Sequence, residues 1–157
     1  MVFQSIELEK RLERVRILEN NVTYQFSMIA KLMDMDALAK LEGTGLNLTS
    51  YRLLKTVETF ETMSIADLSR HMVTDSAQIS RTATELGKRD LVEFQVDPTN
   101  KRRKLVVLAP AGIELMAKLA PVFKARRAAV EDLLGEAAIR DLHTHFTKLA
   151  AHFLNTP

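Results

Sequence analysis

Between Asp75 and Lys88 the chain sets out Ser76, Gln78, Ser80, Arg81 and Thr84, side chains whose chemistry is recognition by hydrogen bonding and not bond breaking. A guanidinium forks onto the acceptors of guanine, a primary amide onto adenine, and a hydroxyl onto a base edge or a phosphate. Arg81 carries the most specific of these chemistries. A second set follows as an unbroken cationic run, Lys101, Arg102, Arg103 and Lys104. Its chemistry is attraction to phosphate or to the minor groove. Arg70, Lys88 and Arg89 are further cations that suit a phosphate backbone. Each set also has a plainer reading. Polar residues line the outer face of any surface helix, and a charge run is commonly just solvated.

The elements that must hold these residues are legible in the stretch from Ser64 to Ala109. Ser64 caps a short helix carrying Ala66, Leu68, Ser69 and Met72, with Asp67 completing an imperfect capping box. Asp75 caps a second helix, with Gln78 in the capping-box position and Ile79, Ala83 and Leu86 facing inward. Leu68, Met72 and Ile79 read as an apolar clamp between the crossing helices, and the small Ser69 lets them approach. LVEFQV, from Leu91 to Val96, reads as a strand. Asp97-Pro98-Thr99-Asn100 reads as a turn, and Leu105 to Leu108 as the returning strand. The order is a helix-turn-helix followed by a basic β-wing. It puts Ser76, Gln78, Ser80, Arg81 and Thr84 in the turns of a recognition helix that meet base edges, and Lys101, Arg102 and Arg103 at the wing tip. Lys104 enters the return strand.

On either side the spacing predicts long amphipathic helices. Leu8, Leu12, Val15, Leu18, Val22, Phe26, Ile29 and Met33 fall on one face of what reads as a single helix through the first forty residues. Ile17, Tyr24, Met28 and Met35 lie off that stripe. Gly43 and Gly45 break the pattern. Thr49 reads as the cap of a helix with Leu53, Leu54, Val57 and Phe60. After the wing, Pro110 and Gly112 open a helical stretch through Leu115, Leu119, Val122, Phe123, Val130 and Leu133. Gly135 interrupts it, and a last helix carries Ile139, Leu142, Phe146, Leu149 and Phe153. Apolar faces at both termini need a partner, and a second copy supplies one most simply. The expected fold is mainly α with a small β-hairpin wing: a winged helix-turn-helix lobe at 46–109, flanked by dimerisation helices at 1–42 and 110–157, in one domain spanning 1–157.

Composition narrows the class. The chain has 157 residues, 46% hydrophobic and 27% charged, with a net charge of +2. That charge is too mild to name a partner, so the distribution of cations carries the reading. The absence of cysteine rules out disulfides, thiol redox sensing and thiolate zinc sites. The opening MVFQSIELEKRLERVR lacks the apolar core of a signal peptide, and no apolar run is long enough to span a bilayer. A cytoplasmic location with no membrane partner is the default expectation. No Gly-rich phosphate loop, nucleophile elbow or zinc-hydrolase motif is present, so an enzyme and a cofactor are not expected. His143, His145 and His152, with Asp141, sit on the last helix. Without cysteine they read as surface or interface histidines, and no metal is expected.

The chain resembles the MarR family of winged helix-turn-helix transcriptional regulators, most specifically over DPTNKRRKLVVLAPAG (97–112) and QISRTATELGKRDLVE (78–93). Of the family's wing pattern, Arg102 and Leu108 are kept, while Asn100 replaces an Asp and Ala109 a Thr. The recognition run keeps Ser80, Arg81, Leu86, Leu91 and Val92, with Asp90 where Gly is usual. The substitutions have physical consequences: Asn100 cannot make the ion pair that an Asp could make with a nearby Arg, Ala109 loses a possible helix cap, and Asp90 must accept a backbone that suits glycine. The resemblance implies a homodimeric repressor of pseudo-palindromic double-stranded operators, with recognition helices roughly 34 Å apart. It also implies release by a small aromatic or phenolic effector, for which Tyr24, Met28 and Tyr51 are the candidate contacts; core packing is the alternative for those three. The rival to the whole reading is a winged-helix module acting as an activator, or through protein contacts without small-molecule sensing.

Overall fold

The chain turns at Asn20 and Asn21, although the apolar spacing of Leu18, Val22 and Phe26 runs on across them. Instead of one continuous helix, the computed structural model, which describes residues 2–101 and 103–155, has α1 (Val2–Glu19) and α2 (Val22–Lys40). The cause is the Asn21 side chain. Its Oδ1 accepts the Tyr24 amide at 3.0 Å and the Thr23 hydroxyl at 2.6 Å. A local acceptor of this kind favours a new helix N-terminus over a continued ladder. A second correction concerns the next helix, α3 (Leu48–Phe60). Asn47, not Thr49, caps it: Asn47 Oδ1 accepts the Ser50 amide at 2.8 Å, and Thr49 lies inside the first turn.

The chain divides into two compact units, Met1–Arg52 and Leu53–Pro157. In the first, Arg52 pairs with Asp34 at 2.5 Å. Ala37, Leu41 and Leu46 are buried, while most large apolar side chains of α2 remain exposed, Phe26, Ile29, Leu32 and Met33 among them.

The second unit holds the predicted helix-turn-helix and wing. Ser64 caps α4 (Ile65–Met72), its hydroxyl accepting the Asp67 amide at 3.2 Å. Asp75 caps α5 (Ser76–Lys88) by accepting the Ala77 and Gln78 amides at 3.0 and 3.1 Å. Leu68, Ile79, Ala83 and Leu86 are buried as the pattern requires, and Met72 is half-buried. Ser69 does more than give room: its hydroxyl donates to the Thr74 carbonyl at 2.6 Å and ties the turn between the helices.

The wing strands are β2 (Val92–Val96) and β3 (Lys104–Leu108), antiparallel, with Phe94 opposite Val106. A strand that hydropathy does not reveal, β1 (Met63–Ser64), pairs with the other edge of β3, setting Ser64 opposite Leu105. The sheet order is therefore β1-β3-β2. Val106 on the central strand is fully buried, with Leu53, Leu54 and Val57 of α3 also in the core. Asp90 takes φ 55°, the left-handed backbone expected at that position. Ala109 precedes α6 (Pro110–Leu154) with no side-chain cap, and Pro110 opens the helix instead. Gly135, at φ 76° and ψ 157°, breaks α6 as its position predicts.

Candidate nucleic-acid interface

α5 presents two chemically different faces because its apolar residues recur at helical spacing. Ile79, Ala83 and Leu86 are buried, which turns Ser76, Gln78, Ser80, Arg81 and Thr84 outward, and all five are exposed. The Thr84 hydroxyl donates back to the Ser80 carbonyl at 2.8 Å, so its methyl and the hydroxyl lone pairs remain to face a partner. The Arg81 side chain makes no ion pair or hydrogen bond among the described residues. An exposed guanidinium without a partner keeps all its donors for an outside acceptor. The next cation behaves differently: Lys88 is occupied by Glu85 at 2.7 Å.

The wing is held by its own turn. Asp97 is buried and accepts the Thr99 amide at 2.8 Å and the Thr99 hydroxyl at 2.6 Å. The Asp97 amide donates to the Arg103 carbonyl at 3.0 Å, and the Arg103 amide to the Asn100 carbonyl at 2.8 Å. The Thr99 hydroxyl and amide, with help from Arg103, hold the Asp97 carboxyl below its usual range. Lys101 and Lys104 are exposed and have no ion-pair partner among the described residues. Arg102, the family-matching cation of the wing, lies outside the described residues.

Arg103 points to protein groups. Its guanidinium pairs with Asp67, donates to the Ser64 hydroxyl at 3.0 Å, and lies 3.7 Å from Asp97. Asp67 also pairs with Arg70, and it accepts the Ser64 hydroxyl at 2.6 Å. The Ser64 hydroxyl bond, followed by the Arg70 and Arg103 contacts, lowers the Asp67 carboxyl to about 2. Two of the expected cations, Arg70 and Arg103, are thus engaged by one carboxylate. Spacing alone singled out Asp67 only as part of a helix cap. Its sequence signal, S-x-x-D, describes the local turn and carries nothing of a partner on the wing.

The effector candidates lie in the first unit. Tyr24 and Tyr51 are half-buried and Met28 is exposed. An open cleft of about 280 Å³ lies elsewhere, lined by Val57, Glu58, Glu61, Val107, Leu108 and Ile113. Among the described residues, no group of three or more His, Cys, Asp or Glu side chains could hold a metal ion. No helix among them is long and apolar enough to cross a membrane.

Comparison with known proteins places this geometry. Residues 46–104 match the model of the MarR family. The fold is similar to that of a MarR/EmrR family transcriptional regulator from Acinetobacter sp. ADP1, with a TM-score of 0.80 at 21% identity over 88% of this chain and 99% of that one. It is similar also to S. aureus MepR in complex with DNA, with a TM-score of 0.76 at 21% identity over 86% of this chain and 98% of that one. A third similar structure is Bordetella bronchiseptica BpsR, whose DNA binding is regulated by 6-hydroxynicotinic acid; there the TM-score is 0.75 at 17% identity, over 85% and 95% of the two chains. No curated protein matches the chain.

Proposed function

We propose that this chain, a MarR-family protein through its residues 46–104, is a cytoplasmic, sequence-specific DNA-binding transcriptional regulator that represses as a homodimer from pseudo-palindromic operators. The observation that carries the reading is the outer face of α5. Ser76, Gln78, Ser80, Arg81 and Thr84 are all exposed on one capped helix, and Arg81 is unpaired among the described residues. In this reading Arg81 forks onto a guanine, Gln78 reads an adjacent base, and the hydroxyls bond bases or phosphates. Lys101 and Arg102 reach the backbone or minor groove beside them. The DNA complex of the similar MepR supports this use of the fold. No chemistry beyond binding is asked of the chain, which fits a regulator and not an enzyme.

Relief of repression by a small aromatic or phenolic ligand belongs to the same proposal. Its support is the regulation of the similar BpsR by an aromatic acid, together with two half-buried tyrosines, Tyr24 and Tyr51, near enough in type to stack on such a ring. Met28 would line the same site with a polarisable side chain.

The test selects bound sequences from random DNA and then compares the intact protein with Arg81→Ala on the selected site. A palindrome is expected. Loss of one bidentate base contact should weaken specific binding roughly 10- to 100-fold and relax preference at one position in each half-site. Unchanged affinity of Arg81→Ala for every DNA tried would sink the proposal.

A further inference from the structure

We propose that Asp67 is a positioning residue for the wing, and that it holds Arg103 as an internal strut and away from DNA phosphate. The proposal rests on the DNA-binding reading above and assigns a different role to one of the wing's cations. Arg103 closes the turn at the tip end of the hairpin, next to Lys104 at the start of β3. Its guanidinium meets the Asp67 carboxylate and the Ser64 hydroxyl, both from the start of α4, and Asp97 from the wing's own turn. Ser64 is almost completely buried and belongs to β1, which pairs with β3. With Arg70, which also pairs with Asp67, one cluster of five side chains joins the first helix of the helix-turn-helix, the sheet and the hairpin turn.

The charges within the cluster cancel. Asp67 and Asp97 carry two negative charges, and Arg70 and Arg103 two positive ones. The cluster is neutral, while Lys101 and Lys104 on the same wing have no acidic partner among the described residues. A DNA phosphate would have to displace a carboxylate that already holds Arg103 by a charge-assisted bond, supported by a buried hydroxyl. The phosphate-facing charge of the wing is thereby restricted to its other cations, and the angle of the hairpin against α4 is set by the strut. Restricting the free cations limits sequence-independent attraction, which is the term that competes with specific binding.

The experiment measures affinity for a selected operator and for random DNA across a range of salt, and hydrogen exchange of residues 92–108 in the free protein. Asp67→Asn retains the shape and the backbone cap but removes the charge. It should speed exchange in the wing, raise random-DNA affinity about fivefold or more at low salt, and steepen the salt slope by ~1 or more as guanidinium groups are released. Asp67→Glu, which keeps the charge, should restore most of the original slope. Arg103→Gln in the intact protein should leave the slope unchanged while loosening the wing. Adding it to Asp67→Asn should remove about one unit of the steepening. A slope that becomes shallower by ~1 in Arg103→Gln alone would show that Arg103 touches phosphate, and the proposal would fall. Unaltered wing exchange in Asp67→Asn would overturn it as well. An intact protein that binds no DNA would defeat the regulator reading itself, a result separable from both because the exchange measurement needs no DNA.

Discussion

Gly112 has no side chain because Leu91 leaves no room for one. A Cβ there would lie 2.0 Å from the Leu91 carbonyl oxygen, and that oxygen already accepts the Ala109 amide at 3.1 Å. The obstruction is backbone and cannot rotate away. Gly112→Ala should therefore destabilise the fold by about 2–3 kcal/mol, with the thermal midpoint falling by roughly 5–10 °C by calorimetry. An unchanged midpoint would mean that α6 can shift away from Leu91 without loss. In the sequence this glycine is visible only as a helix opener. The close approach that requires it is a contact between residues far apart in number. Arg81 is the opposite case: its exposure follows from its place in the α5 period, two residues from Ile79 and Ala83 and so on another face of the helix, and spacing alone turned it outward.

At the scale of elements, capping chemistry proved the most readable signal. Ser64 and Asp75 cap α4 and α5 as their types and positions predict. Asn21 and Asn47 were harder to see, because apolar spacing continues smoothly across the first, and Thr49, two residues after the second, is also a capping type. Only the backbone geometry chooses between such neighbours. The turn between α4 and α5 carries a cost of its own: Val73 adopts φ 48° and ψ 48°, a left-handed conformation that strains a β-branched residue. The wing is the element whose function is most directly measurable. Replacing Lys101 and Arg102 together by Ala should weaken binding to all DNA sequences alike and flatten the salt slope by about 2. A loss confined to the operator, with the slope unchanged, would mean that the wing reads bases instead of holding the backbone.

For the whole molecule the governing fact is apolar surface left in water by one chain. In the first unit, α2 exposes Phe26, Ile29 and Met33; in the second, the end of α6 exposes Phe146, Leu149 and Phe153. Side chains of this size on helices at both ends of a chain fit burial against a second copy. Sedimentation at micromolar concentration should give about twice the chain mass of 17.7 kDa. A stable species of single-chain mass would contradict the homodimer and, with it, the two-fold match to a palindromic operator. The modest net charge of +2 agrees with this picture. Affinity for DNA would come from a few placed cations in each copy and not from a generally basic surface.

The sequence by itself determined the helix-turn-helix, the hairpin, the break at Gly135 and the outward face of α5. These depend on periodicity, caps and turn residues, which act within a few positions of one another. Tertiary structure decided what the remaining charges do. Arg103 and Asp67 are 36 residues apart, and nothing in either neighbourhood marks them as partners. They meet because β1, too short to be seen in a hydropathy pattern, pairs with β3 and carries Ser64 and the start of α4 to the turn end of the wing. A run of four cations in the sequence thus becomes, once folded, a wing in which Arg103 is held by carboxylates while Lys101 and Lys104 have no ion-pair partner among the described residues.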